Sequence, residues 1–187
     1  MDKKKIEMAV KLFLEALNVD LNRKDISSTP KRVAEMCEEI FMGQFLNPEE
    51  ELEVILEQKH DEIILLKDIP IFSFCEHHIL PFIGKAHVAY IPDNRITGLS
   101  KLARVVDILC RRLQVQERLT TEIADIIMKK LRPKGVMVII EAEHLCMTIR
   151  GVKKPGTITT TSVVRGVFRI NQKTREEALS LIFSSNK

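Results

Sequence analysis

The stretch EIILLKDIPIFSFCEHHILPFIGKAHVAYI (residues 62–91) decides the fold of this chain. Its first part, residues 62–74, is rich in Ile, Leu and Phe and predicts a strand with an interruption at Pro70. Residues 84–91 alternate at a period of two, which is typical of a second strand. We therefore expect an antiparallel hairpin whose connection carries the run Cys75-Glu76-His77-His78.

The segments on either side of this hairpin predict a mixture of helices and strands. Apolar residues recur at helical spacing in most of them, and two segments rich in Val, Ile and Thr read as strands. Helices are expected at 2–18, 29–43 (with Thr29 as N-cap), 47–56, 99–113, 115–131 and 174–183, and strands at 135–149 and 157–170. This order lacks regular βαβ alternation. It predicts an α+β fold with an antiparallel four-stranded sheet and a helix pair between strands 2 and 3.

Length and composition bound the possible classes of protein. A chain of 187 residues fits one functional unit, which we divide into an N-terminal helical region (1–60) and a sheet-bearing domain (61–187). The net charge of +3 is too small to indicate a nucleic-acid partner. No apolar run of about 18 residues or secretory signal is visible, so we expect no membrane association and a cytoplasmic location.

The four cysteines fall into two kinds. Cys37 and Cys110 lie on the apolar stripes of predicted helices and are expected to be core residues. Cys75 and Cys146 each lie beside histidine. A disulfide framework is rare in an intracellular chain of this length, so free thiols or metal ligands are the expectation.

Two short runs carry candidate metal ligands. Cys75 and His78 are three residues apart at the hairpin turn, and His144 and Cys146 are two apart on a predicted strand, so that they face the same side. Thiolate and imidazole together suit zinc. Three ligands, Cys75, His78 and Cys146, would give a catalytic site and leave His77 and His144 for proton transfer. A closed structural site that also uses His144, or no metal at all, are the alternatives.

The remaining histidines have no cysteine neighbour. His60 and His87 are therefore expected to lie at the surface or to be hydrogen-bonded within a strand.

Cations near a helix start suggest an anion site. Ser100, Lys101 and Arg104 follow Gly98, and helix N-terminal amides attract anions. An ordinary solvated face is the alternative. Arg150, four residues after the predicted ligand Cys146, favours the anion site. Arg32 and Arg165 are further candidates for this site from other parts of the chain.

Several motifs together resemble one family. Cys75-Glu76-His77-His78, Gly98-Leu99-Ser100-Lys101-Leu102-Ala103-Arg104, Gln114-Val115-Gln116-Glu117-Arg118-Leu119 and His144-Leu145-Cys146-Met147 stand in the order and spacing of GTP cyclohydrolase I. The similarity runs from about Thr29 to Leu181. It implies a tunnelling fold and a homodecamer of two pentamers with active sites at subunit interfaces. It also implies conversion of GTP and water to 7,8-dihydroneopterin triphosphate and formate, the first step of tetrahydrofolate or other pterin synthesis.

The resemblance also assigns roles to residues. It implies that zinc is held by Cys75, His78 and Cys146, that proton transfer is the role of His77 and His144, and that Ser100 assists a later step or binds phosphate. It assigns the triphosphate to Lys101, Arg104, Arg150 and Arg32, and the sugar side of the site to Gln116. Glu117 would read guanine, because a carboxylate can accept two parallel hydrogen bonds from the guanine N1–H and amino group.

One departure from the family pattern is visible, and two other hypotheses compete. Some members carry a lysine at the position of Glu35, and a carboxylate cannot make that phosphate contact. The first competing hypothesis is a zinc-stabilised module that binds nucleotides or nucleic acid, which the absence of tryptophan disfavours. The second is another purine- or pterin-handling enzyme of the same fold.

Overall fold

In the computed structural model, which describes residues 1–52, 57 and 59–184, the predicted hairpin forms. Strands β1 (Ile64–Cys75) and β2 (Leu80–Ile91) pair antiparallel, and residues 76–79 connect them. The interruption predicted at Pro70 is misplaced. The register shifts between Leu66 and Ile69 instead, around Asp68, whose φ is 58°. A bulge absorbs the extra residue there, whereas Pro70 pairs with Lys85.

The described residues form a five-stranded sheet in the order β3-β1-β2-β4-β5. The additional strands are β3 (Leu113–Gln114), β4 (Gly135–His144) and β5 (Ile158–Gly166). The prediction of four antiparallel strands is therefore wrong in one respect, because the two-residue β3 pairs in parallel with Phe74 and Cys75. The four long strands are antiparallel to their neighbours, as expected.

The long helices match the predicted order, with shorter bounds at several ends. The helices are α1 (Lys3–Ala16), α2 (Thr29–Ile40), α3 (Leu99–Cys110), α4 (Gln116–Leu131), α5 (Leu145–Thr148), α6 (Val167–Ile170) and α7 (Gln172–Phe183), with 3₁₀ turns at Met42–Phe45 and Pro48–Glu51. The two short helical turns, α5 and α6, lie where strands were predicted. Helices α3 and α4 lie between β2 and β4, as predicted. Ser28, not Thr29, is the N-cap of α2.

Several predicted segments were too long. The helix expected at 47–56 is a 3₁₀ turn over Pro48–Glu51, and residues 53–56 of that prediction lie outside the described residues. Helix α3 ends at Cys110, so Leu113 belongs to β3 and is exposed rather than inward-facing. The strand expected at 157–170 ends at Gly166 and passes into the helical turn α6.

Both faces of the sheet are covered. On one face, α3 and α4 pack Leu102, Leu109, Leu119 and Ile123 against strand residues such as Val138. The other face packs against α6 and α7 in a smaller cluster that includes Met137, Phe168, Ala178 and Ile182. Cys110 is buried in the larger cluster, which confirms that it is a core thiol, and Cys37 is half-buried.

Helix α1 packs against α2 but buries none of its own residues fully within this chain. Its exposed apolar side chains are Met8, Leu12, Phe13 and Leu17. A run of exposed apolar residues on one amphipathic helix is typical of a surface that another protein surface covers.

His87 is a hydrogen-bonded strand histidine, as predicted. It is 1% exposed in β2. Its Nδ1 accepts the backbone N–H of Asp68 at 3.2 Å, and its Nε2 faces Glu141 Oε2 at 3.4 Å. Because Nδ1 accepts, the proton of the neutral ring must be on Nε2. Burial lowers the pKa of His87, an effect that Lys85 adds to and that the carboxylates of Asp68 and Glu141 oppose.

We expect this histidine to make folding stability depend on pH. The unfolded chain binds the proton near the ordinary pKa of 6.5, and the folded chain only below it. The free energy of unfolding should therefore fall as the pH drops below about 6.5, by at most about 1.4 kcal/mol per pH unit. In His87→Gln, a neutral side chain that can make both contacts, this component should vanish. Urea denaturation of both proteins between pH 8 and 5 measures the difference, and parallel curves would contradict it.

Among residues 1–52, 57 and 59–184, no helix combines the length and the apolar composition that crossing a bilayer requires.

Candidate active site

The ends of β1 and β4 meet at one edge of the sheet. Cys75 is the last residue of β1 and His144 the last of β4. Strand β2 lies between them, where Leu80 pairs with Cys75 and Phe82 pairs with His144. Helical turn α5 follows His144 and carries Cys146, whose thiol lies near enough to that of Cys75 for Cys75 to raise its pKa. Residues about seventy positions apart in sequence thus come together.

Cys146 is not on a strand, contrary to the prediction. The strand expected to reach residue 149 ends at His144, and Cys146 lies in α5. Side-chain bonds stabilise this turn: Thr148 Oγ1 donates to Glu143 Oε1 at 2.9 Å and to the carbonyl of His144 at 3.2 Å. The same Glu143 oxygen accepts the backbone N–H of Gly156 at 2.8 Å. The two runs still converge, although the predicted same-face geometry was wrong.

The candidate ligands are only partly assembled. Burial raises the pKa of the Cys146 thiol, and its neighbour Cys75 adds to the increase. His78 is exposed, and Arg150 Nη1 donates to its Nε2 at 2.6 Å. Across the part of the chain that the structure describes, no group of three His, Cys, Asp or Glu side chains is arranged to hold a metal.

The chemistry of the donor set nevertheless fits a metal such as zinc. Two thiols, those of Cys75 and Cys146, lie near enough for one to raise the pKa of the other. An arginine can only donate, so the Nε2 of His78 carries a lone pair, as a ligating imidazole requires. His77 lies close by, with Nδ1 3.6 Å from the Cys75 sulfur. Among the three proposed ligands, His78 is the one whose exposed side chain contacts Arg150.

The hairpin turn is held by Arg118, a residue of the quoted motifs to which sequence reasoning assigned no role. Arg118, on α4, pairs with Glu76 at 2.5 Å, and its Nε donates to Gln114 Oε1 at 2.9 Å. The backbone N–H of Glu76 also donates to the carbonyl of Gln114 at 3.0 Å. Arg118 holds the pKa of the Glu76 carboxyl below its ordinary value. These bonds tie the turn that bears His77 and His78 to β3 and α4.

His144 is held on two sides. The ring of Phe82 stacks on its imidazole, with centroids 4.8 Å apart and planes 11° from parallel. Gln116 Oε1 lies 2.7 Å from its Nε2. Burial lowers the pKa of His144, and the Glu117 carboxylate opposes that decrease, which places Glu117 within electrostatic reach of the ring. Sequence reasoning missed Phe82, although the strand register would have placed it opposite His144.

Two of the predicted phosphate-binding cations, Lys101 and Arg104, lie on α3 and not at the ends of β1 and β4. Lys101 and Arg104 both pair with Glu51, at 3.6 and 3.5 Å. Helix α3 begins after the end of β2 that is opposite to Phe82, and the chain that leaves its other end forms β3, which pairs with Cys75. Since the helix has 12 residues, its start lies about 18 Å from its end.

Two further predicted residues are exposed and lie on helices away from the β1–β2 connection in sequence. Ser100 is in the first turn of α3, and Arg32 is on α2. Of the predicted cations, Arg150 is the one that the structure places beside the metal-ligand candidates, through its contact with His78.

Comparison with known proteins identifies the family. The family model described as GTP cyclohydrolase I matches residues 6–183. The chain belongs to the GTP cyclohydrolase I family. A protein named GTP cyclohydrolase 1 from Carboxydothermus hydrogenoformans is 59% identical over 97% of this chain and 95% of its own length. One of the same name from Pelotomaculum thermopropionicum is 59% identical over 97% of both chains.

A more distant likeness exists among solved structures. The crystal structure of the archaeosine synthase QueF-Like in the apo form aligns with a TM-score of 0.46 and 15% identity, over 58% of this chain and 97% of that one. This likeness is too remote to support an argument. Membership of the GTP cyclohydrolase I family, with 59% identity to the two relatives named above, shows that the chain is an enzyme of this class, which confirms the prediction over that of a nucleic-acid-binding module.

Proposed function

We propose that this chain converts GTP and water to 7,8-dihydroneopterin triphosphate and formate, and so opens pterin and folate synthesis. Its membership of the GTP cyclohydrolase I family supports this reaction. The observation that carries it is local. A pair of thiols, Cys75 and Cys146, lies at the same sheet edge as a histidine that is held by ring stacking and a hydrogen bond.

The proposed cofactor is one zinc ion held by Cys75, His78 and Cys146. Zinc supplies Lewis acidity, which lowers the pKa of water toward neutrality. In the reaction, one water adds at C8 of guanine and opens the imidazole ring, a second releases the formyl group as formate, and the later closure of the pterin ring returns one water. His144 donates the proton to the purine N7, and His77 moves a second proton. Such positioned groups contribute roughly 10²–10⁴-fold each. Ser100 assists the later ribose opening or binds phosphate.

Guanine recognition is assigned to Glu117. This residue is exposed in the first turn of α4 and acts electrostatically on His144. An exposed carboxylate beside the proton donor can accept the N1–H and amino group of guanine. Adenine offers a different pattern on that edge, so the same contact would exclude it.

The triphosphate is assigned to Lys101, Arg104, Arg150 and Arg32. Because α3 begins far from Cys75 in one chain, we propose that Lys101 and Arg104 reach the site from a neighbouring copy in a homo-oligomer, a decamer of two pentamers. The exposed apolar face of α1 supports such an assembly. Some family members carry a lysine at position 35 that reaches the triphosphate. In this chain Glu35 stands there and pairs with Lys31 at 3.8 Å within the helix, so this phosphate contact is not made.

A mixing experiment tests whether two chains share the site. His144→Ala and the double variant Lys101→Ala/Arg104→Ala should each be nearly inactive. If each site takes His144 from one subunit and the cations from another, unfolding and refolding the two together at equal amounts should restore activity in about a quarter of the sites. His144→Ala mixed with Cys146→Ala is the control, since both changes affect the same cluster. No recovery in the first mixture would contradict shared sites.

The proposed reaction itself is tested with purified, zinc-loaded protein and GTP. We expect one formate for each GTP consumed, and a product that becomes a fluorescent neopterin after oxidation. ATP under the same conditions should give neither. Protein that contains zinc and consumes no GTP would overturn the proposal.

A further inference from the structure

Gln116 occupies a position that the proposed catalytic roles do not explain. It is the first residue of α4 and is 1% exposed. Its Nε2 lies 3.0 Å from the carbonyl oxygen of Ile140 on β4 and 2.9 Å from that of Thr159 on β5. Its Oε1 lies 2.7 Å from His144 Nε2. The carboxamide therefore connects the backbone of two strands to the imidazole.

The orientation of this carboxamide is determined by its neighbours. Backbone carbonyls only accept, so the side-chain NH₂ must face Ile140 and Thr159, because the reverse orientation would leave three buried acceptors facing one another. A chain of hydroxyls agrees. Thr120 Oγ1 donates to the carbonyl of Gln116 at 2.7 Å, so in the 2.6 Å contact between Thr120 and Thr161 the donor is Thr161. The Thr161 oxygen, 3.1 Å from Gln116 Nε2, then faces the amino group as an acceptor and can share one of its two N–H groups with a carbonyl.

This direction fixes the proton on the histidine. Since Gln116 presents an acceptor, the Nε2 of His144 must be protonated. The Phe82 ring, stacked 4.8 Å away, keeps the imidazole in one plane. Nδ1 then carries the lone pair and is the nitrogen that can gain and lose a proton.

We propose that Gln116 is a positioning residue that fixes His144 in the Nε2–H tautomer, so that Nδ1 is the atom that transfers the proton during ring opening. This inference rests on the proposed function of His144 as proton donor. It gives Gln116 a role other than the sugar contact expected from the sequence resemblance, since its side chain is buried between β4, β5 and His144. In each turnover Nδ1 receives a proton and delivers it to the substrate, while Nε2 keeps its proton throughout.

Two variants of Gln116 distinguish a role in positioning His144 from a role in binding the sugar. Gln116→Met keeps the length of the side chain and removes both the acceptor and the donors. It should lower kcat by about 10–100-fold and leave the KM for GTP within about two-fold. Gln116→Glu, protonated in this buried site, can donate to one carbonyl and still accept from His144, so its kcat should lie closer to that of the wild type. Thr161→Val, which leaves both carbonyl contacts in place, is the matched control and should change kcat by only a few-fold.

The tautomer is read directly by ¹⁵N NMR of histidine-labelled, zinc-loaded protein, with the His144→Ala spectrum identifying the His144 signals. We expect a protonated Nε2 in the wild type and in Gln116→Glu, and a mixture of tautomers in Gln116→Met at unchanged zinc content. The inference would be overturned by a wild-type His144 that is protonated on Nδ1 alone, or by a Gln116→Met variant that changes KM and not kcat. In either case, GTP turnover by the wild type would leave the proposed function intact. Absence of turnover in the wild type would instead overturn the proposed function.

Discussion

Replacing His144 with alanine is expected to lower kcat for formate release by about 10²–10⁴-fold while the protein retains one zinc per chain. The ring lies between Phe82 and Gln116 beside the thiol pair, and we assign it to proton transfer and not to the metal. Its removal should therefore eliminate the proton donor without opening the ligand set. Formate production by the zinc-loaded variant and its metal content measure the two effects separately.

The exposed His60 provides the control for this variant. His60→Ala should retain both zinc and turnover, since no site role is assigned to it. Loss of zinc from His144→Ala would show that His144 is a ligand, as in the closed four-ligand alternative. Retention of full activity would show that the proton comes from another group. A thermal unfolding curve of each variant establishes that the folded state is present.

The hairpin could be predicted because its signals are local. The apolar and β-branched residues of both segments favour extended backbone locally, although the structure buries every residue of 86–91 instead of alternate ones and leaves Phe72 exposed. Cys75 to His78 then had to lie in the connection. The two-residue β3 could not be predicted this way. Its pairing with Cys75 depends on contacts of Gln114 and Arg118 with a turn about forty residues away in sequence.

The end of β4 illustrates a different limit. Residues 145–149 carry β-compatible side chains, so a pattern-based reading extends the strand through them. The structure ends the strand at His144 because Glu143 and Thr148 form hydrogen bonds that close a helical turn. Side-chain to backbone bonds of this kind compete with strand pairing, and a single sequence does not show which one prevails.

The candidate site was predictable in its residue types and only partly in its geometry. Motif spacing brought Cys75, Cys146 and His144 to one sheet edge, and the fold places them there. The cations on α3 lie about one helix length away because chain direction, which spacing does not reveal, starts that helix at the opposite edge. The buried contacts of Gln116 were also hidden, since a glutamine beside a glutamate at a helix start looks like a solvated pair.

Replacing Cys146 with alanine should remove both zinc and activity. The remaining ligands, Cys75 and His78, are two donors where at least three protein ligands are usual for a catalytic zinc. We expect metal content to fall from one per chain to near zero, and turnover to fall by about 10³-fold or more. Metal analysis after dialysis, together with the GTP assay, measures this. Loss of activity with zinc retained would remove Cys146 from the ligand set.

Cys37→Ala is the matched control, because this half-buried thiol on α2 is not one of the assigned ligands, and its replacement should leave zinc and turnover unchanged. Removing zinc from the wild type adds an independent readout of the same geometry. The thiol of Cys75 acts on the pKa of Cys146, which indicates that the two are close, so we expect oxidation of the metal-free protein to join them, with loss of activity that a reductant and zinc together reverse. Cys146→Ala cannot form this bond. If both thiols of the oxidised, metal-free wild type still titrated as free, the proximity that underlies the whole ligand assignment would be wrong.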